Sequence, residues 1–393
     1  MSRPQDIVIV AAKRTAMGGF QGCLSTVPSP QLAASSIKAL METTGVKGEQ
    51  VDEVLMGCVL PAGLGQAPAR QAVLGAGLPQ SVGATTVNKV CGSGMKTVML
   101  AHDLIKAGSA NIVIAGGMES MSQAPYLLDK ARGGMRMGHG KVLDHMFLDG
   151  LEDAYTGGAM GTFAQKTADD FGLTREAMDA FALSSLEKAN AAITSGAFKE
   201  EIVPVTVSSR RGDTLIDTDE QPGNARPDKI PALRPAFAKD GTITAANSSS
   251  ISDGAASLML MSREQAENLG LAVMATIKGH ATHSQEPAMF TTAPVGAMQK
   301  LLAQTGWSKD EVDLFEINEA FAMVTMLAIS ELGLDAAKVN VNGGACALGH
   351  PIGCSGARLL VTLIHALKAR GLKRGMASLC IGGGEATAMA IEI

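Results

Sequence analysis

Four short stretches of this 393-residue chain carry side chains that could do chemistry together. In NKVCGSGMK (Asn88 to Lys96), Cys91 stands where an extended apolar segment meets a glycine-punctuated turn that opens a helix. Free N–H groups and the positive end of the helix dipole favour a thiolate there, so the Cys91 pKa is expected below the ordinary ~8.5 of a thiol. Gly92 and Gly94 let another molecule approach the backbone. Cys91 is therefore a candidate nucleophile. In GGACALGHPIGCSG, His350 lies between Gly349 and Pro351, an unpromising place for a plain helix or strand residue, and a neutral imidazole there could take a thiol proton as general base. Cys346, His350 and Cys354 have a spacing that suggests a metal, but Gly349, Pro351 and Gly353 break the helix that would align them and a fourth ligand is missing. In LCIGGGEA, Cys380 ends an apolar strand and Gly382 to Gly384 follow, offering backbone N–H groups for an oxyanion hole. No Lys-Ser/Thr follows the triplet, so it is not a phosphate loop. INEAF ends another strand with Asn318 and Glu319, a pair that, taken alone, belongs in a solvated turn. Two thiols and one base suit a reaction needing both a nucleophile and a second acid or base, unlike simple hydrolysis.

The elements that must bring these residues together occur twice. ALMETTGVKGEQVDEVLMG is answered near residue 300 by LLAQTGWSKDEVDLFEINEAF, with the same spacing from Thr44-Gly45 to Val51-Asp52 and from Thr305-Gly306 to Val312-Asp313. TVNKVCGSGMKTVMLAHDLIKAGSANIVIAGGMES is answered by a second glycine-rich elbow, helix and apolar strand ending in CIGGGEAT. Each half reads as a strand, an elbow, a helix stopped by glycine and a second strand. Alternating strands and helices predict parallel sheets covered by helices, a duplicated α/β fold. The repeat is interrupted from Ser120 to about Asn247, a stretch too long for a structureless loop and read as a lid or ligand-binding segment. It contains one strong helix, from Thr174 to a stop at Gly196.

Composition limits the partners. Hydrophobic residues are 46% and charged residues 18%, as in a globular protein with buried cores. A net charge of −5 and an aromatic content of 3% give neither the basic footprint nor the stacking surface of a nucleic-acid binder. No apolar run approaches the ~20 residues a membrane span requires, and the N-terminal MSRPQDIVIVAAKR reads as a strand of a cytoplasmic protein. None of the six cysteines forms a C-x-x-C pair, so each thiol is either core or chemistry.

NKVCGSGMK, GGMESMSQAPYLL, NEAF, GGACALGHPIGCSGAR and CIGGGEA, in this order and spread over essentially the whole chain, resemble the motifs of the thiolases, and most of all the acetoacetyl-CoA type, the acetyl-CoA acetyltransferases. The resemblance implies a five-layered αβαβα fold of two βαβαβαββ halves, with 1–119 and 248–268 forming the first, 120–247 an inserted loop domain and 269–393 the second. It implies a homotetramer acting on acyl-CoA thioesters, without a cofactor, by a reversible Claisen condensation of two acetyl-CoA to acetoacetyl-CoA and coenzyme A. In that scheme Cys91 carries the acyl group, His350 removes its proton, and Cys380 takes the α-proton of the second acetyl-CoA. His350 and a water held by Asn318 form one oxyanion hole; the N–H groups of Cys91 and Gly382 form the other. Leu151, Met160, Phe237, Ala246, Ser249, Ala320 and Phe321 match coenzyme A contacts. Two positions depart from the pattern. Ala159 stands where the acetoacetyl type usually has histidine, which leaves room for a broader or longer-chain 3-ketoacyl-CoA preference. A nucleotide-contacting arginine falls near Gly223, with Arg226 as its candidate replacement.

Overall fold

The computed structural model describes residues 6–393. Nine strands build its scaffold: Ile7–Thr15 (β1), Glu53–Gly57 (β2), Gly83–Val87 (β3), Ile112–Ser120 (β4), Ser252–Ser262 (β5), Ala275–Ser284 (β6), Leu314–Ile317 (β7), Arg374–Ile381 (β8) and Glu385–Glu392 (β9). Successive residues of a strand face opposite sides, and here both sides are apolar. In β1, Ile7 and Ile9 enter one core while Val8 and Val10 enter another. In β5, Ala256, Leu258 and Leu260 face the first core and Ala255, Met259 and Met261 the second. In β8, Ala377 and Leu379 again face the first, but Met376 faces a third. Each sheet must therefore be covered on both faces.

Helices supply the cover. Ser29–Thr44 (α1) and Pro68–Gly75 (α2) close one outer face. Ser93–Lys106 (α3) lies in the middle, while Met160–Asp170 (α4) and Arg175–Ser195 (α5) belong to the segment between β4 and β5. Ala293–Thr305 (α6) and Ala322–Leu332 (α7) lie on the opposite outer side, and Ile352–Arg370 (α8) packs beside α3 between the sheets. The layers run α-β-α-β-α. By length and composition α8 could cross a membrane, contrary to what the sequence suggests, but both sheets and α3 enclose it.

The strand order is β7-β8-β9-β6-β1-β5-β4-β2-β3, with the two-residue strands Gly18–Gly19 on β5 and Ile202–Val203 on β1. The halves meet where β1 pairs with β6, at Val8↔Thr276 and Ile9↔Ala275. The expected parallel sheets are in fact mixed. β2 is parallel to β3 and β4, and β7 to β8, but β1 and β4 are antiparallel to β5, and β6 and β8 to β9. Only the strands joined through helices need crossovers; β8 and β9 are joined by a tight turn, which forces antiparallel pairing.

The internal repeat survives in atomic detail. Gly45 ends α1 and Gly306 ends α6 with φ of 65° and 71°, a left-handed stop that suits glycine. Single 3₁₀ turns follow, Gly48–Gln50 and Lys309–Glu311, and each is closed by a Gln50 or Glu311 side chain reaching back to a backbone N–H. Asp52 then accepts from the N–H groups of Asn111 and Ile112, and Asp313 from those of Lys373 and Arg374. The same carboxylate thus opens the same strand in each half.

Candidate active site

The first elbow is a set of local hydrogen bonds written in NKVCGS. Asn88 Oδ1 accepts from the N–H of Val90 at 2.9 Å; Ser93 Oγ accepts from the N–H of Lys89 at 2.8 Å and donates to the carbonyl of Val90 at 2.6 Å. These bonds hold Val90 at φ 47°, a left-handed conformation that a β-branched residue seldom adopts. The chain turns sharply into α3 with Cys91 at the bend. A Cβ on Gly92 would lie 2.3 Å from Cδ1 of Ile381, so glycine lets the elbow close onto the end of β8, where Cys380 is. The Gly382 backbone lies close enough to the Cys91 sulfur to favour its thiolate, and Cys91 and Cys380 are near enough that ionising Cys91 disfavours ionising Cys380.

His350 arrives from the other elbow. Its N–H donates to the Ser250 carbonyl and to Ser252 Oγ, at 3.1 and 3.2 Å. Its Nδ1 meets Ser355 Oγ, whose own proton goes to the carbonyl of Pro351 at 2.9 Å. Ser355 must then accept from Nδ1–H, which leaves Nε2 as the free base. Nε2 lies 3.5 Å from Nδ2 of Asn318, while Oδ1 of Asn318 is buried with no protein partner. A buried amide oxygen in that state suits an ordered water.

Burial governs the protonation states. It pushes the Cys91 thiol up to about 11, against the pull of the Gly382 and Cys91 N–H groups. The thiolate expected from the helix terminus is therefore not the resting form: lost hydration outweighs a dipole worth about 1 kcal/mol. Burial, followed by the neighbouring Cys91, raises Cys380 as well. His350 is brought down to about 3 by burial and then by Arg358. Thiol, thiol and neutral imidazole coexist in the free site.

These groups face one cavity of about 380 Å³. Cys91, His350, Cys380 and Gly382 line it, together with Leu151, Met160, Phe237, Ser249, Ala320 and Phe321. Phe321 and Ser249 are set by pairing of the 247–249 segment with 320–322, through the N–H of Ser249 to Ala320 at 3.0 Å and of Ala322 to Asn247 at 2.8 Å. Ala159 is on the wall. Ala246 and Arg226 are not; they line an adjoining cavity, together with Lys229, that shares Ala245 and Ser250 with the first. Phe147, Ser248, Ser250 and Phe290 also line the main cavity. They carry no local signal, since the fold and not their neighbours in sequence brings them there.

Asn318 and Glu319 are not in a solvated turn. Both are fully buried. Glu319 accepts from Ser185 Oγ at 2.7 Å, Asn340 Nδ2 at 2.8 Å and the N–H of Cys346 at 3.0 Å, which joins α5, β7 and the His350 loop. Glu119, at the end of β4, does the same between halves: it accepts from the N–H groups of Val59, Leu60 and Gly353 at 3.0, 3.1 and 2.9 Å. Burial raises its pKa to about 7 despite these donors. Cys354 sits in the central core and the Cys346 thiol meets the Glu319 carbonyl at 3.7 Å, so they do not join His350 around a metal.

Comparison with known proteins places this geometry among relatives. Residues 7–264 match the family described as Thiolase, N-terminal domain, and residues 271–393 that described as Thiolase, C-terminal domain. A Pseudomonas aeruginosa acetyl-CoA acetyltransferase is 52% identical over 98% of this chain and 99% of its own length. An Escherichia coli protein of that name is 52% identical over 99% of both chains. The crystal structure of the Bacillus anthracis acetyl-CoA acetyltransferase superposes with a TM-score of 0.97 at 41% identity and full coverage of both chains. An Ascaris suum thiolase solved in complex with coenzyme A gives 0.93 at 41% identity, covering 99% of this chain and 100% of the other.

Proposed function

The chain belongs to the thiolase family, and on that premise we propose that it is an acetyl-CoA C-acetyltransferase, joining two acetyl-CoA to give acetoacetyl-CoA and coenzyme A, reversibly. The observation that carries this reading is the meeting of two neutral thiols, one neutral imidazole and the Gly382 backbone on the wall of a single, mostly apolar cavity.

The protonation states dictate the order of events. As the Cys91 sulfur attacks the thioester carbonyl, its proton passes to His350 Nε2, and the carbonyl oxygen becomes an oxyanion. Collapse expels the coenzyme A thiolate, which takes the proton of Cys380. Cys380 is now a thiolate and removes the α-proton of a second acetyl-CoA; the carbanion attacks acetyl-Cys91. The Cys91 thiolate leaves and recovers the proton that His350 kept. Every proton is accounted for without metal or cofactor. The N–H groups of Cys91 and Gly382 serve one oxyanion, and protonated His350 with a water on Asn318 serves the other. The apolar lining from Leu151 to Phe321 suits pantetheine, and Arg226 with Lys229 in the adjoining cavity suits the nucleotide phosphates.

Self-association as a homotetramer in the cytoplasm completes the proposal. Self-association draws support from β3, which ends the strand order, and from Tyr126, Met137 and Val142, exposed by 68%, 96% and 62%. The deciding experiment is alkylation with iodoacetamide run beside acetoacetyl-CoA thiolysis. One thiol, Cys91, should react in step with loss of activity and be protected by acetyl-CoA; full activity after its alkylation would refute the assignment.

A further inference from the structure

Far from the thiols, α3 and β6 converge on a second group of side chains. Among the described residues, His102, Asp103 and His280 present ligand atoms that all lie within 4.8 Å of one another. We propose that these three residues form a Zn2+ site that pins the last turn of α3, in the first half, to β6, in the second.

A single carboxylate oxygen is the centre of the group: Asp103 Oδ1 is 2.9 Å from His102 Nδ1 and 3.0 Å from His280 Nε2. Donors about 2.0–2.2 Å from a tetrahedral zinc stand roughly 3.3–3.5 Å from each other. The two His–Asp edges need to open by only a few tenths of an ångström. The rings meet edge to face at 87° with centroids 5.0 Å apart. Exposure is divided in the way an open site requires. The imidazoles are largely covered, at 10% and 16%, and the carboxylate is open at 54%, which leaves water to complete the shell. Two imidazoles and one carboxylate select Zn2+ over Mg2+ or Ca2+, which take oxygen donors. Lys106, close enough to act on His102, opposes any cation, so a site of three protein ligands here is an exchangeable one. His102 is about ten residues along α3 from the elbow, or roughly 15 Å at the helical rise, so the zinc site and the catalytic thiols are separate.

The test must exclude capture of zinc by thiols. Full-length protein, stripped by chelator and alkylated at its reactive thiol, is titrated with Zn2+ against a chromophoric chelator, and with Co2+ for the visible band of a tetrahedral site. The unsubstituted protein should bind one equivalent per chain and gain in thermal midpoint with zinc. His280→Ala and Asp103→Asn should bind about a hundredfold or more weakly, since even indirect partners of a ligand are worth 10–100-fold. Neither should gain in midpoint; circular dichroism checks that both are folded. No binding by the unsubstituted protein, or equal binding by all three, would overturn the proposal.

Discussion

At the scale of single residues, the two thiols share one cavity, and the proposed mechanism gives them different duties, so their substitution should separate the half-reactions. Cys380→Ala should still accept acetyl from labelled acetyl-CoA at Cys91, more slowly because the leaving thiolate has lost its acid, and should be unable to condense. Equal loss of both steps would make Cys380 structural. Ser355 bears on the chemistry through His350, whose Nδ1 it meets. In Ser355→Ala the Nδ1–H loses its acceptor and part of the imidazole turns to the wrong tautomer. We expect kcat to fall about ten- to a hundredfold, part of the roughly 10²–10⁴ that a positioned base supplies, with KM nearly unchanged. Ser355 is visible in the sequence only through the repeat: it occupies the place in GCSG that Ser93 occupies in CGSG, and both serines hold the backbone of an elbow. Ala159 concerns selectivity. With a methyl group on the cavity wall instead of an imidazole, acetoacetyl-CoA should remain the best thiolysis substrate while five- and six-carbon 3-ketoacyl-CoA are still turned over. Ala159→His should sharpen the preference by ~1–3 kcal/mol. A native enzyme that rejects the longer substrates, with no change in the variant, would remove this reading.

At the scale of elements, the active site depends on how strand ends are tied to helix starts. Glu119 binds the end of β4 to the loop after β2 and to the first turn of α8, immediately after His350. Its pKa is raised in the folded protein from 4.5 to about 7, so folding favours its protonated form. Its contribution is fully present below pH 4.5 and disappears as pH rises through 7, worth at most about 3 kcal/mol. Glu316 and Glu319 are shifted in the same direction. Glu119→Gln should therefore show a smaller loss of unfolding free energy between pH 5 and pH 8 than the unsubstituted protein; parallel pH profiles would show that Glu119 is ionised throughout. The elements themselves were mostly legible, because alternating apolar residues, glycine stops and capping side chains are local signals. What was not legible is what depends on distant residues. The counterpart of β3 in the second half has shrunk to one bridge between Phe315 and Val339, with nothing in the local pattern to announce it. The fate of Glu319 depended on Ser185 and Asn340, and the Cys91 pKa on how much protein surrounds the elbow.

At the scale of the whole molecule, the segment between β4 and β5 roofs the cavity with Leu151, Met160 and Phe237, so its attachment to the layered core decides whether the tunnel exists. One buried cation makes much of that attachment. Arg14 of β1 reaches Glu201 through Nε at 2.6 Å and Asp219 through Nη1 and Nη2 at 2.7 and 2.9 Å, and its guanidinium lies 4.9 Å from the centroid of Phe198. Asp219 accepts in addition from the N–H of Met17, and Glu201 from Thr362 of α8. All three charged side chains are wholly buried. Two carboxylates from the inserted segment thus converge on one cation of the core, and without it they would face each other in a medium that solvates neither. Arg14→Met is expected to cost about 3–5 kcal/mol, the usual penalty for leaving buried charges unpaired. The loss should be larger at pH 8 than at pH 5, where the orphaned carboxylates can bind protons. Limited proteolysis should cut first between residues 121 and 251, and the KM for acetoacetyl-CoA should rise before activity is lost. Adding Glu201→Gln and Asp219→Asn to Arg14→Met should recover part of the stability, since the repulsion disappears with the charges. A triple variant no more stable than Arg14→Met would mean that Arg14 acts through its packing on Phe198 and not through its charge.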